Sequence, residues 1–218
     1  MRLTYYGHAS FLVETGDGTR VILDPYCSEC YDGALRYTPI KETADVVIAT
    51  HEHDDHGAVD SIPGQPLVFV HPVSETVGRL QITGVDVAHD DAGGSKRGRN
   101  TIVVLDDGSI KLVHLGDLGH LLDKTTIEAI GRVDVLIVPV GGYFTIDEKQ
   151  AAAVVDSLHP KIVIPIHYKT DKVDFPIAPV DGFLKTQGEV QKPGTPTFEV
   201  TGDTLPEKRT TVVLPHSH

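Results

Sequence analysis

Six consecutive residues, His51-Glu52-His53-Asp54-Asp55-His56, carry three imidazoles and three carboxylates. Imidazole nitrogens and carboxylate oxygens ligate zinc, manganese and iron, and such ions turn water into a nucleophile near neutral pH. The cluster follows Asp45-Val46-Val47-Ile48-Ala49, an apolar run that reads as a buried strand. In an extended continuation, side chains at 51, 53 and 55 point to one side, and a turn at His56-Gly57 brings a fourth ligand around. Two His separated by one residue cannot share a helix face, which excludes the helical His-Glu-x-x-His arrangement of metalloproteases. One stray His is explained by a solvated turn. Four candidate ligands in a six-residue run behind a buried strand point to a metal site.

Further candidates end other strand-like runs. His89 follows Gly84-Val85-Asp86-Val87-Ala88, Asp117 follows Ser109–Gly116, His167 follows Lys161–Ile166, and Asp24 closes Val21-Ile22-Leu23. Ligand sites of α/β proteins gather beyond the carboxyl ends of strands, so this shared placement predicts one composite site.

The elements that must position these groups are short and rich in Val and Ile. Strands are expected at Ser10–Glu14, Arg20–Leu23, Asp45–Ala49, Pro66–Val70, Val85–Ala88, Thr101–Leu105, Ile110–His114, Val133–Val138, Lys161–Pro165 and Thr210–Leu214. Asp17-Gly18 and Asp107-Gly108 signal hairpin turns. The clearest helix is Asp147–Leu158, with Asp147 as N-cap and Pro160 beyond its end; Thr125–Gly131, Asp181–Gln187 and Val73–Leu80 are shorter candidates. Many strands with interspersed helices predict an α/β fold in which helices cover packed sheets. No repeat, low-complexity tract or long linker divides the chain, so one domain over residues 1–218 is expected.

Composition narrows the function. A net charge of -12 repels phosphate backbones, which argues against a nucleic-acid substrate. Twelve His in 218 residues agrees with metal binding. No stretch approaches the roughly 20 apolar residues of a membrane span. The N-terminal Met1–His8 lacks the layout of a secretion signal, so a cytoplasmic location is expected. Cys27 and Cys30 form a lone Cys-x-x-Cys in a loop, too few ligands for structural zinc and not at a helix start, and are expected to be two free thiols.

The run His51-x-His53-x-Asp55-His56 resembles the signature of the metallo-β-lactamase-fold superfamily. The resemblance continues through Gly7–Glu14, Ile22-Leu23-Asp24-Pro25, His89, Gly116-Asp117, Pro139-Val140-Gly141-Gly142 and Pro165-Ile166-His167-Tyr168, in the same order. It is nearest to the short, single-domain branch that includes L-ascorbate-6-phosphate lactonase-like proteins. The resemblance implies a four-layer αββα sandwich of two similar halves with a dinuclear site along one edge. It further implies one metal on His51, His53 and His89, a second on Asp55, His56 and His167, Asp117 bridging both, and Asp24 orienting a ligand His. Zinc suits these donors, as do manganese and iron. The implied chemistry is a hydroxide shared by two divalent ions attacking a lactone, ester or phosphoester of a small molecule, with Asp55 as the proton carrier. A metallo-nuclease or phosphodiesterase acting on RNA or nucleotides is the alternative, and a non-catalytic metal-binding protein on the same scaffold is a second.

Weaker signals concern the substrate. Lys96, Arg97, Arg99 and Lys169 could hold an anion beside the metals, or lie in mobile, solvated loops. His8 reads either as a substrate contact at the site edge or as a hydrogen-bonded structural residue. Tyr143, after Gly141-Gly142, could stabilise a developing oxyanion or simply pack. Asp90 and Asp91 read as solvated carboxylates, His114 as an ordinary strand residue, and His216 and His218 as a disordered tail. The expected partner is a small-molecule substrate, anionic if these cations bind it, and a homo-oligomer is compatible with the sequence.

Overall fold

Val and Ile pack well on a pleated surface, and the runs rich in them become strands. A computed structural model describes residues 1–218. In chain order the strands are β1 (Arg2–Gly7), β2 (Ser10–Glu14), β3 (Arg20–Leu23), β4 (Val46–Ala49), β5 (Leu67–Val70), β6 (Ser74–Val77), β7 (Leu80–Ala88), β8 (Arg99–Asp106), β9 (Lys111–His114), β10 (Val135–Pro139), β11 (Ile162–Ile166), β12 (Glu189–Gln191), β13 (Thr197–Glu199) and β14 (Thr210–Val212). The helical elements are α1 (Cys30–Gly33), α2 (Lys124–Ile130), α3 (Glu148–Leu158) and α4 (Asp181–Leu184). In the single turn α1, Tyr31 and Asp32 have left-handed backbone angles.

The strands form two mixed sheets. One runs β13-β1-β2-β3-β4-β5 and the other β12-β14-β11-β10-β9-β8-β7-β6. Strands β3, β4 and β5 are parallel, as are β9, β10, β11 and β14. Strand β1 reaches β3 through two antiparallel pairings, and β7 reaches β9 in the same way. Within each sheet the strands that precede candidate ligands therefore share a direction and end on one edge.

The two sheets face each other across a core that includes Leu3, Phe11, Val21, Ile48, Val103, Leu112, Ile137 and Ile164. Alternate residues of the second sheet, among them Val113, Leu136, Val138 and Val163, point outward under α2 and α3. Burying each such aliphatic side chain contributes about 1.5–3 kcal/mol. The outer face of the first sheet is covered differently. Tyr26, Leu35, Tyr37 and Ile40, with Val173, Phe175 and Ile177, form a lid of irregular chain there. The α/β sandwich is the expected one, with its fourth layer built largely from loops.

Helix α3 follows the sequence closely. Asp147 accepts from the backbone of Lys149 and Gln150, the Gln150 side chain returns to the Asp147 amide, and Ala151, Val154, Val155 and Leu158 make the buried face. Other expectations change. Val73–Leu80 is no helix: Ser74–Val77 pairs antiparallel with β7 around Gly78 (φ +60°), because alternation and a glycine turn favour a hairpin over one helical turn. Strands β1, β6, β12 and β13 were not apparent from composition, being polar, short or terminal. The C-terminal tail is anchored, with Ser217 N–H donating to Tyr5 O, His216 against Asp171 and the His218 ring against Tyr6. No helix is long and apolar enough to cross a membrane.

Candidate metal centre

At the shared strand edge the chain must turn at once, and several polar residues do so with left-handed angles. His8 follows β1 with φ +55°, Asp24 follows β3 with φ +45°, and His167 follows β11 with φ +50°. Such conformations cost about 1–3 kcal/mol outside glycine and persist where surrounding contacts enforce them. Before Asp117 the turn falls to Gly116 (φ +53°), where a Cβ would lie 2.7 Å from Thr50 Oγ1 and closer still to Asn100 Oδ1. The backbone leading to Asp117 thus passes too near its neighbours for any side chain.

The extended geometry expected for residues 51–56 is not what forms. The amides of His56 and Gly57 both donate to His53 O, at 2.9 and 2.7 Å, closing a turn. That turn sends the ligands two ways. His51 and His53 meet His89, while Asp55 and His56 meet His167 and His8; within each group the candidate ligand atoms lie within 4.8 Å of one another. Asp117 stands between the groups. Its Oδ1 is 3.1 Å from His56 Nε2, and its Oδ2 is 3.1 Å from His89 Nε2, 3.4 Å from His167 Nε2 and 3.9 Å from His51 Nε2.

Behind this cluster Asp24, fully buried, fixes the direction of its imidazoles. Asp24 Oδ1 accepts the Thr50 amide at 2.7 Å. Asp24 Oδ2 accepts from Thr50 Oγ1 at 2.9 Å, His56 Nδ1 at 2.8 Å and His114 Nε2 at 2.9 Å. Having given its proton to Asp24, the Thr50 hydroxyl accepts from His51 Nδ1 at 3.0 Å. Both His51 and His56 thereby turn Nδ1 to this network and Nε2 towards Asp117, the ring orientation a metal requires. Burial pushes the Asp24 carboxyl up, but His114 and His56 beside it outweigh burial and hold it well below the usual carboxylate range. Burial and the neighbouring His56 take His51 down to about 3. His167 is likewise near 3 through burial, so both imidazoles are neutral at pH 7.

The donor set fits divalent cations by an independent sign. His51 Nε2, His56 Nε2 and Asp117 Oδ1 are buried with no hydrogen-bond partner. Each such orphan costs about 1–3 kcal/mol, and three converging on one point fit a cation as their missing partner.

A cavity of about 290 Å³ opens on the cluster, lined by His53, Asp55, His89 and Asp117 on one side and Tyr31, Arg97, Phe144 and Phe175 on the other. His8 is wholly buried, its Nε2 3.0 Å from Asp55 Oδ2 and its ring 4.3 Å from that of His167. Asp55 Oδ1 accepts from the Tyr31 hydroxyl at 3.0 Å, so both oxygens of this carboxylate are engaged. Tyr143 is 64% exposed and Lys169 is tied to Asp174 Oδ1 and Phe175 O, each at 3.1 Å; neither lines the cavity.

Several residues at the site escaped the sequence reading. Thr50, Asn100 and His114 carry no motif: Asn100 accepts the Asp117 amide at 3.0 Å and donates to Leu115 O at 2.9 Å, while His114 reaches Asp24 from 90 residues away. Tyr31 sits beside the other surprise. Cys27 and Cys30 are joined in a disulfide rather than free, because the left-handed angle at Glu29 turns the segment and brings the two Cα atoms to 5.7 Å. Asp90, read as solvated, is 2% exposed and gathers four backbone amides. The signal for it was the glycine-rich stretch that follows.

The family described as a beta-lactamase superfamily domain matches residues 2–167. A metal-dependent hydrolase of Aeropyrum pernix is 30% identical, over 88% of this chain and 95% of its own length. A second, from Carboxydothermus hydrogenoformans, is 31% identical over 78% and 85%. Among solved structures, one from Thermotoga maritima described as a candidate Zn-dependent hydrolase of the metallo-beta-lactamase superfamily superposes with a TM-score of 0.80 at 36% identity, covering 98% of this chain and 97% of that one.

Proposed function

On the premise that this chain belongs to the metallo-β-lactamase superfamily and is a metal-dependent hydrolase, we propose that it cleaves a lactone, ester or phosphoester of a small molecule with two divalent cations. The observation that carries this reading is the convergence of His51 Nε2, His56 Nε2 and Asp117 Oδ1, all buried and unpartnered, on the floor of an open cavity. His51, His53 and His89 would hold one cation, and Asp55, His56 and His167 the other, with Asp117 shared. Zinc is the first choice for such nitrogen-rich donors, and manganese or iron also fit. When bound, the cations supply a hydroxide near neutral pH and polarise the scissile oxygen.

The chain's own groups do the rest. Asp24 and Thr50 keep two imidazoles in one tautomer and orientation, so little reorganises during turnover. Asp55, at the cavity wall, takes the proton of the nucleophile and returns it to the leaving group. Tyr31 and His8 hold that carboxylate at its two oxygens, and His56 and His8 beside it outweigh burial and keep it ionised until then. Phe144 and Phe175 exclude water from one side of the substrate. A cavity of about 290 Å³ suits a small molecule rather than a polynucleotide.

The test is hydrolysis of simple lactones, para-nitrophenyl esters and bis(para-nitrophenyl) phosphate by protein stripped with chelator and then reloaded with zinc or manganese. Turnover should appear only on reloading. Stoichiometric metal uptake with no turnover of any class would overturn the proposal in favour of a non-catalytic metal-binding role.

A further inference from the structure

Eight arginines are spread through the chain, and Arg2, Arg20, Arg36, Arg99, Arg132 and Arg209 each lie against a carboxylate. Arg97, like Arg79, does not, although the protein carries a net charge of -12. It is the one Lys or Arg on the cavity wall, facing His53, Asp55, His89 and Asp117 across the opening. One Nη donates to Tyr143 O at 2.9 Å, and the guanidinium carbon lies 5.5 Å from the centre of the Phe144 ring. The remaining N–H groups of the fork have no protein partner.

The loop bearing Arg97 is built to hold it there. Asp90, next to the candidate ligand His89, turns its carboxylate into the loop and accepts the amides of Ala92, Gly94, Lys96 and Arg97 at 2.7–2.9 Å. Gly94, at φ +88°, accepts the Gly98 amide on its carbonyl at 2.9 Å, and a Cβ there would lie 2.7 Å from Gly98 O. Gly98 O in turn accepts the His89 amide at 3.1 Å. The backbone at Arg97 is thus tied to a residue of the metal cluster, and the guanidinium is held over the cavity by Tyr143 O. Lys96, in the same loop, is occupied by Asp91 and Lys169 by Asp174, which leaves Arg97 as the cation available to a ligand.

We propose that Arg97 is the specificity anchor of the site, and that the substrate carries, away from its scissile bond, a compact oxyanion — carboxylate or phosphate — that pairs with this guanidinium. The apolar part of such a substrate lies against the wall formed by Phe144 and Phe175, whose rings meet edge to face with centroids 5.7 Å apart. An arginine fork over an aromatic face recognises a planar or tetrahedral oxyanion with two parallel hydrogen bonds, which a lysine cannot reproduce. This inference rests on the hydrolase reading above and deepens it.

The experiment compares three para-nitrophenyl esters on zinc-loaded protein: the neutral butyrate, the glutarate half-ester with a distal carboxylate, and the phosphonopropanoate with a distal phosphonate. The measured quantity is the ratio of kcat/KM for each anionic ester to that for the butyrate. In Arg97→Ala this ratio should fall roughly 10- to 100-fold for the preferred anion, mostly through KM, with Arg97→Lys intermediate. Lys96→Ala, in the same loop, should leave the ratio unchanged. Whichever anion shows the larger fall identifies the oxyanion. Equal ratios in wild type and Arg97→Ala would overturn the proposal. Should none of these esters be turned over, an outcome that bears on the hydrolase reading and not on the anchor, calorimetric binding of glutaranilate decides the anchor separately: tighter binding by wild type than by Arg97→Ala supports it, and equal binding overturns it.

Discussion

The floor and the rim of this site are built on opposite principles. On the floor, His51, His56, Asp117 and His167 are almost wholly buried, and Asp24, Thr50 and Asn100 brace the first three by hydrogen bonds. On the rim, Tyr31, Arg97, Phe144 and Phe175 come from loops, and the polar tips of Tyr31 and Arg97 are each held by one bond, to Asp55 and Tyr143 O. Loops on a rigid scaffold can vary without disturbing the sheets. The contrast implies that reaction chemistry is common property of the frame, while substrate choice belongs to a few loop residues that can change independently.

That separation can be broken by experiment. Asp117→Ala removes the carboxylate shared by both ligand groups, and should abolish hydrolysis and lower metal content measured by atomic emission to background. Retention of turnover would mean the floor does not carry the reaction. Next in size, Asp24→Asn leaves every proposed ligand in place but unsettles the imidazole tautomers; metal affinity should fall about 10- to 100-fold, read by competition with a chromogenic chelator. A variant with unchanged affinity would show that the buried network serves folding alone.

Metal removal tests whether the floor also supports the fold. Ligand at about 100 times its Kd stabilises by about 2.7 kcal/mol, so reloading stripped protein should raise Tm by roughly 5–10 °C in a chain of this size. No shift on stoichiometric loading would place the cations away from the core. The smallest effect should come from the rim: Tyr31→Phe removes one partly exposed hydrogen bond to Asp55 and should lower kcat about 5-fold with full metal content retained. Loss of metal in this variant would move Tyr31 from the rim to the floor.

How much could be read in advance follows the same division. Ligand types lie close in the chain at His51–His56, and apolar runs stop just before His89, Asp117 and His167, so local pattern alone pointed to a composite site at strand ends. The conformation of the cluster was not legible there, because the turn at His53–Gly57 that divides it between two ligand groups is held by the distant loop after β3, where the Cys27 amide donates to Asp54 O and Pro25 O accepts the Ala58 amide. Asp90 misled for a related reason: its polarity suggested solvent, yet four backbone amides converge on it once the glycines of residues 93–98 bend the loop.

Sequence by itself determined the α/β class, most strands, the α3 helix with its Asp147 cap, and the identity of the residues suited to hold metal. Those properties depend on side-chain type and on short-range periodicity, which a linear chain displays directly. Tertiary structure alone decided that His114 and Thr50 meet at Asp24, that Tyr31 reaches Asp55, and that Arg97 rather than Lys169 faces the cavity. Each of those outcomes depends on bringing together strand ends or loops far apart in the chain, where a tenth of a nanometre separates a hydrogen bond from no interaction.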